Sequence, residues 1–131
     1  MVPVESAADF IARKSRQWET ERRAIKAKDI GRRGWALWTR EAWTWHVQTN
    51  YAEKVLLIER LRLTERVGDT AYAGGASVGD IEYRLGYYIV GRIGRAAGRW
   101  TWGQYSPLIP QADFDALFAK AHTDGTILPS L

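Results

Sequence analysis

The sequence predicts an α+β fold: N-terminal helices, an antiparallel sheet of about three strands, and a C-terminal helix packed on that sheet. Three observations carry this. Capped segments with apolar residues at helical spacing open and close the chain, residues 61–67 and 81–90 alternate with the period of a strand, and glycine-rich turns separate the two kinds. At 131 residues the chain has the length of one domain around one core. Residues 6–60 are its expected helical part, and residues 61–128 hold the sheet and the last helix.

Ser6 followed by Asp9 has the form of a helix start, a hydroxyl cap with a carboxylate in the first turn. Ile11, Trp18 and Ile25 then recur every seven residues beside Phe10 and Ala24, and the glycines of GRRG, residues 31–34, read as the stop. The next segment, residues 35–47, holds four tryptophans. Trp35, Trp38, Ala42 and Trp45 fall at steps of three, four and three, so a second helix is expected there, although Trp43, Trp45 and Val47 also alternate as in a strand. Asn50 with Glu53 is a further capping pattern. It opens the apolar run from Val55 to Ile58, which is assigned to helix as far as Arg60, with one continuous strand from Val55 as the competing reading.

Beyond Arg60 the residues Leu61, Leu63, Glu65 and Val67 alternate with Arg62, Thr64 and Arg66. Residues 68–79 are a small-residue loop without the Gly-Lys-Ser/Thr ending of a phosphate-binding loop. In residues 81–90 the side chains of Ile81, Tyr83, Leu85, Tyr87 and Ile89 share the side expected to face the core, opposite Glu82, Arg84, Gly86, Tyr88 and Val90. A turn follows in which Gly91, Gly94 and Gly98 each precede an arginine, Arg92, Arg95 and Arg99. Trp100 and Trp102 then share one face of a second aromatic strand. The glycine spacing is not G-x-G-x-x-G and no helix follows the turn, so a dinucleotide fingerprint is absent. Residues 110–125 carry the clearest helix: Pro110 opens it, Asp113 and Asp115 lie near its start, Phe114, Leu117, Phe118 and Ala121 form its stripe, and Lys120, His122 and Gly125 close it.

Net charge is +4, and its distribution is uneven. Ten Lys/Arg fall from Arg13 to Arg40 against three acids, while Asp113, Asp115 and Asp124 outnumber Lys120 near the end. A basic front implies an anionic partner. With no cysteine, disulfide frameworks, thiolate metal sites and thiol nucleophiles are excluded. His46 and His122 make no metal-ligand pattern, so neither a metal nor any other cofactor is expected, and His46 reads as a hydrogen-bonded structural residue among aromatics. There is no apolar run of membrane-spanning length and no secretory pattern at the start, so a cytoplasmic, membrane-free protein is the expectation.

Glycine beside arginine lets backbone approach a flat or anionic surface and leaves the guanidinium free for bidentate contact with phosphate. Neighbouring Tyr88, Trp100 and Trp102 offer faces on which a base can stack. The expected function is therefore a nucleic-acid-binding module for single-stranded or structured RNA or DNA. Arg92, Arg95 and Arg99 would hold phosphates, and the front basic segment, Arg22, Arg23, Lys26, Arg32 and Arg33 with Arg13, Lys14, Arg16 and Lys28, would widen the footprint. This requires the turn and the front helix to share one side of the molecule. Two alternatives stand beside it: an interaction module with tryptophan anchors, docking on an acidic protein or on its own copies, and a small basic ribonuclease-like enzyme that rests on layout alone. Binding rather than catalysis is expected.

Overall fold

Two long strands, Trp35–Val47 and Lys54–Val67, form the frame on which the other elements are assembled. The computed structural model describes residues 3–21, 23–28, 33–68 and 75–130. In chain order these contain α1 (Ala7–Thr20), β1 (Ile25–Ala27), β2 (Trp35–Val47), β3 (Lys54–Val67), β4 (Ile81–Val90), β5 (Trp100–Trp102) and α2 (Gln111–Thr123), with a 3-10 turn at Gly94–Ala96. The strands lie in sequence order in one antiparallel sheet. The α+β class and the C-terminal helix are as expected. The sheet, however, has five strands instead of about three, and among the described part of residues 6–60 only α1 is helical.

The tryptophan segment is a strand, and its helical spacing has a specific origin. Arg40 pairs with Leu61 and Ala42 with Arg60, so Glu41 is one residue too many on β2. Such a bulge reverses which positions face inward. Trp38 and Arg40 before it, and Trp43, Trp45 and Val47 after it, therefore face the same side, and the broken alternation imitates helical steps. In β3 the misleading feature is different. Val55, Leu57, Leu61 and Leu63 pack on one face while Leu56 and Ile58 pack on the other. A strand covered on both faces reads as a continuous apolar run, and the continuous-strand alternative is the one adopted.

Ser6 caps α1 by accepting the Asp9 amide at 3.1 Å. The helix stops well before residue 31: the Thr20 hydroxyl turns back to the carbonyls of Arg16 and Gln17 at 3.1 and 3.2 Å. Ile25, expected on its apolar stripe, instead lies in β1 opposite Trp38. α1 lies in the hollow of the curled sheet with Phe10 and Trp18 buried against Trp45, Val55 and Leu57. Ser15 accepts from the indole N–H groups of both Trp43 and Trp45, at 3.1 and 3.0 Å, so these buried donors are satisfied. Tyr88 and Trp45 stand two strands apart, yet their rings approach to 5.9 Å across this hollow.

The convex face is covered by α2, capped at Pro110. Leu117 and Ala121 are fully buried against Leu56 and Ile58, with Leu85 and Tyr87 of β4 beside them. Phe114, expected in the stripe, is 44% exposed and rests on Phe118 at 4.5 Å. Polar bonds complete the seam: Asp113 Oδ1 lies 2.7 Å from His46 Nε2 and accepts the Thr49 amide at 3.1 Å, and Arg60 donates to the Gly125 carbonyl at 2.8 Å. β4 is thus covered on both sides. Leu85 and Tyr87 face α2, while Gly86, Tyr88 and Val90, expected on the more polar side, are buried or half-buried toward α1.

Candidate functional site

The turn joining β4 to β5 is closed on itself. Gly91 donates to the Arg99 carbonyl at 3.0 Å and accepts from Gly98 at 2.9 Å. A side chain at Gly91 would meet the Ala96 carbonyl oxygen at 2.4 Å, so only glycine permits this closure. The compact turn projects its arginines outward. Arg92 pairs with Glu53, whereas Arg95 and Arg99 have no acidic partner among the described residues.

Two adjoining cavities lie between this turn and α1. One, of about 390 Å³, is lined by Glu5, Phe10, Arg13 and Gly98 among others; the second, of about 470 Å³, by Arg95, Ala96, Thr101 and Trp102. Lys14, Tyr88, Arg99 and Trp100 line both. Glu5 neutralises Arg13 through two bonds, at 2.9 and 3.0 Å, and that contact holds the Glu5 carboxyl below the usual range. Among the described residues the one hydrogen-bond partner of Lys14 is Gln17, at 3.4 Å. Burial pushes its ammonium below the usual lysine value, and repulsion from Arg13 and Arg40 adds to this against the attraction of Glu21.

The aromatic wall is set by packing. Trp100 stacks on Phe10 with centroids 4.8 Å apart and donates its indole N–H to the Glu5 carbonyl at 2.8 Å. Trp102 meets Tyr88 edge-on at 5.0 Å. The outer end of its ring lies against Gly86, where a Cβ would come within 2.3 Å of it. Burial raises the Tyr88 hydroxyl above the usual tyrosine value, with the Glu59 carboxylate adding to it against Arg40 and Arg84.

Behind this wall is a cluster that sequence reasoning missed. Glu59, fully buried, accepts from Arg40 at 2.5 Å and from Arg84 at 2.8 Å. Arg40 lies 3.7 Å over the Trp18 ring and Arg84 4.8 Å over Trp102. Two guanidiniums on one carboxylate leave the hollow with excess positive charge before Lys14, Arg95 and Arg99 are added. The parity of β4 already placed Arg84 with Gly86 and Tyr88. Glu59 gave no signal, because at the end of an apolar run and beside Arg60 it reads as an ordinary charged pair.

Of the expected site residues, Tyr88, Arg95, Arg99, Trp100 and Trp102 come together in this cleft. Arg92 belongs to the same turn but is occupied by Glu53. Arg23, Lys26 and Arg33 lie elsewhere: β1 pairs beside Trp38 and thus near Leu63, while Tyr88 lies beside Val55. Those two β3 positions are eight residues apart, about 26 Å along a strand. Arg23 pairs with Glu21 at 3.7 Å and Lys26 lies 3.6 Å over the Trp35 ring. Arg22 and Arg32 fall outside the described residues. The expected shared basic side is therefore real for Arg13 and Lys14 of α1 and absent for Arg23, Lys26 and Arg33, because the helix ends at Thr20 and the chain continues to the far end of β2.

His46 lies under α2 on the opposite face of the sheet from the cleft, and His122 belongs to α2 itself. Among the described residues no group of three His, Asp or Glu side chains could hold a metal ion, and no helix is long and apolar enough to cross a membrane. The chain matches no protein-family model, no curated protein and no solved structure.

Proposed function

We propose that this protein binds nucleic acid, as single strands or as the unpaired segments of structured RNA or DNA, through the cleft between α1 and the β4–β5 turn. The observation that carries this is the convergence of Lys14, Arg95 and Arg99, none with an acidic partner among the described residues, on the half-buried rings of Tyr88, Trp100 and Trp102. A partly desolvated cation without a counter-ion gains most from an anionic ligand. Ring edges and faces beside it suit unpaired bases, which stack on aromatics where paired ones cannot. Trp100 gives one face to Phe10 and Trp102 one face to Arg84, and both rings stay only half-buried at the cleft.

Binding through three phosphate contacts predicts that log affinity falls against log salt with a slope of about −2 for a single strand. Fluorescence anisotropy of a labelled oligonucleotide measures it. Joint replacement of Arg95 and Arg99 by alanine should flatten the slope by more than half, while Arg92→Ala should leave affinity nearly unchanged. Lys14→Met should weaken binding without lowering stability, because the lysine's depressed value means that its charged form is disfavoured by folding below that value. Affinity of the Arg95/Arg99 variant within about twofold of the parent at low salt, where the lost contacts weigh most, sinks the assignment.

A second reading, docking on an acidic protein surface or on a second copy, is favoured by Ile93, Tyr105 and Leu108, which are 84%, 82% and 84% exposed. Multi-angle light scattering tests the second-copy form: a monomer at micromolar concentration, unchanged by Ile93→Asp, removes it.

A further inference from the structure

The two cavities share a wall, and that wall holds two of the three cations that have no acidic partner among the described residues. Lys14 and Arg99 stand at the divide with Tyr88 and Trp100, while each lobe continues into different chemistry. The lobe toward the N-terminal segment ends at the Glu5–Arg13 pair, which offers a carboxylate acceptor and a guanidinium donor side by side. The lobe toward β5 is open and carries the indole of Trp102 and the side chain of Arg95. Each volume falls near the lower end of the ~300–1,000 Å³ typical of small-ligand sites. A ligand that fills both must therefore have two separate bodies joined by an anionic link at the cationic divide. A single phosphate-bearing ring would leave one lobe empty.

From this arrangement we infer that the cleft reads one dinucleotide step of a strand, with its internal phosphodiester held between Lys14 and Arg99 and one base in each lobe. The inference rests on the nucleic-acid reading above and adds to it a unit size, a register and two unlike base positions. The base in the β5 lobe stacks on Trp102, and the base in the other lobe presents its edge to Glu5 and Arg13. The two positions then discriminate differently, because hydrogen-bonding groups select a base edge and a ring face does not.

Competition against a bound fluorescent oligonucleotide at low salt tests it, using a dinucleoside monophosphate without terminal phosphates, a nucleoside 5′-monophosphate and inorganic phosphate. The dinucleoside monophosphate has one negative charge and the mononucleotide about two, so charge alone favours the latter. The inference expects the dinucleoside to compete about tenfold better, the worth of one additional stacked base. Arg99→Gln and Lys14→Gln, both at the divide, should each remove most of that advantage, and circular dichroism of each variant confirms that it is folded. A mononucleotide that competes as well as or better than the dinucleoside overturns the inference while leaving nucleic-acid binding in place. Failure of the oligonucleotide itself to bind at low salt overturns both.

Discussion

The two faces of the sheet are each covered by one helix, but they treat polar groups in opposite ways. On the convex face Asp113 meets His46 and Thr49, Thr44 donates to Thr126 at 2.7 Å, and Glu41 takes both Arg60 and Arg62. On the concave face one buried carboxylate serves two arginines, and Lys14, Arg95 and Arg99 find no acid among the described residues. Matched polar groups close a seam. Half-buried Lys14 and exposed Arg95 and Arg99 keep hydrogen-bonding capacity that the described residues leave unused, and the proposed binding face rests on that difference.

The largest effect that would break this contrast is expected at Glu59. Glu59→Gln leaves two largely enclosed guanidiniums without a compensating charge, and uncompensated buried charge costs about 3–5 kcal/mol. Urea denaturation should show a lower midpoint with an unchanged slope; a loss under about 1 kcal/mol would mean that the cluster is solvated in solution.

Smaller, and aimed at the site more than the fold, is Gly86→Ala. The new methyl would lie 2.3 Å from the Trp102 ring, so the indole must leave its place, at a cost of about 1–3 kcal/mol. Oligonucleotide affinity should fall alongside. Binding at parental strength with a displaced indole would show that Trp102 is core alone.

The smallest concerns the convex seam and acid. Burial pushes the Asp113 carboxyl up, but its bonds with His46 and Thr49 outweigh this and hold it below the usual range. A carboxyl depressed on folding stabilises fully above its unfolded value, near pH 4, and that contribution fades as pH falls from there through the folded value. The thermal midpoint of Asp113→Asn should therefore fall less steeply than that of the parent below about pH 4. Glu5 and Glu41, which arginines also hold low, contribute to the remaining slope. Parallel curves would remove Asp113 from the seam's acid response.

Local signals were legible wherever one residue type answers one local demand. Ser6 and Pro110 marked helix starts, the alternation of residues 81–90 marked β4, and the Gly–Arg repeats marked the turn that carries half the cleft. What escaped the sequence depended on distant partners. The surplus residue at Glu41 disguised β2 as a helix, because a bulge is defined by the register of its neighbour strand. Leu56 and Ile58 disguised β3, because the helix covering them lies some sixty residues downstream. Arg40, Glu59 and Arg84 come from three strands, and no spacing within any one of them announces the others. Lys14 was one charge among many in the front basic segment until burial separated it from Arg16 and Arg23.

Trp18 and Trp45 stack with centroids 5.1 Å apart and planes within 10° of parallel, and one belongs to α1 while the other belongs to β2. Two indoles held this way couple their strong far-ultraviolet transitions, so the folded protein should carry a paired circular dichroism band of its own in that range. That optical mark depends on the helix remaining seated in the sheet, and neither indole lines the neighbouring cavities. It separates a chain that has lost its shape from one that has lost only its ligand.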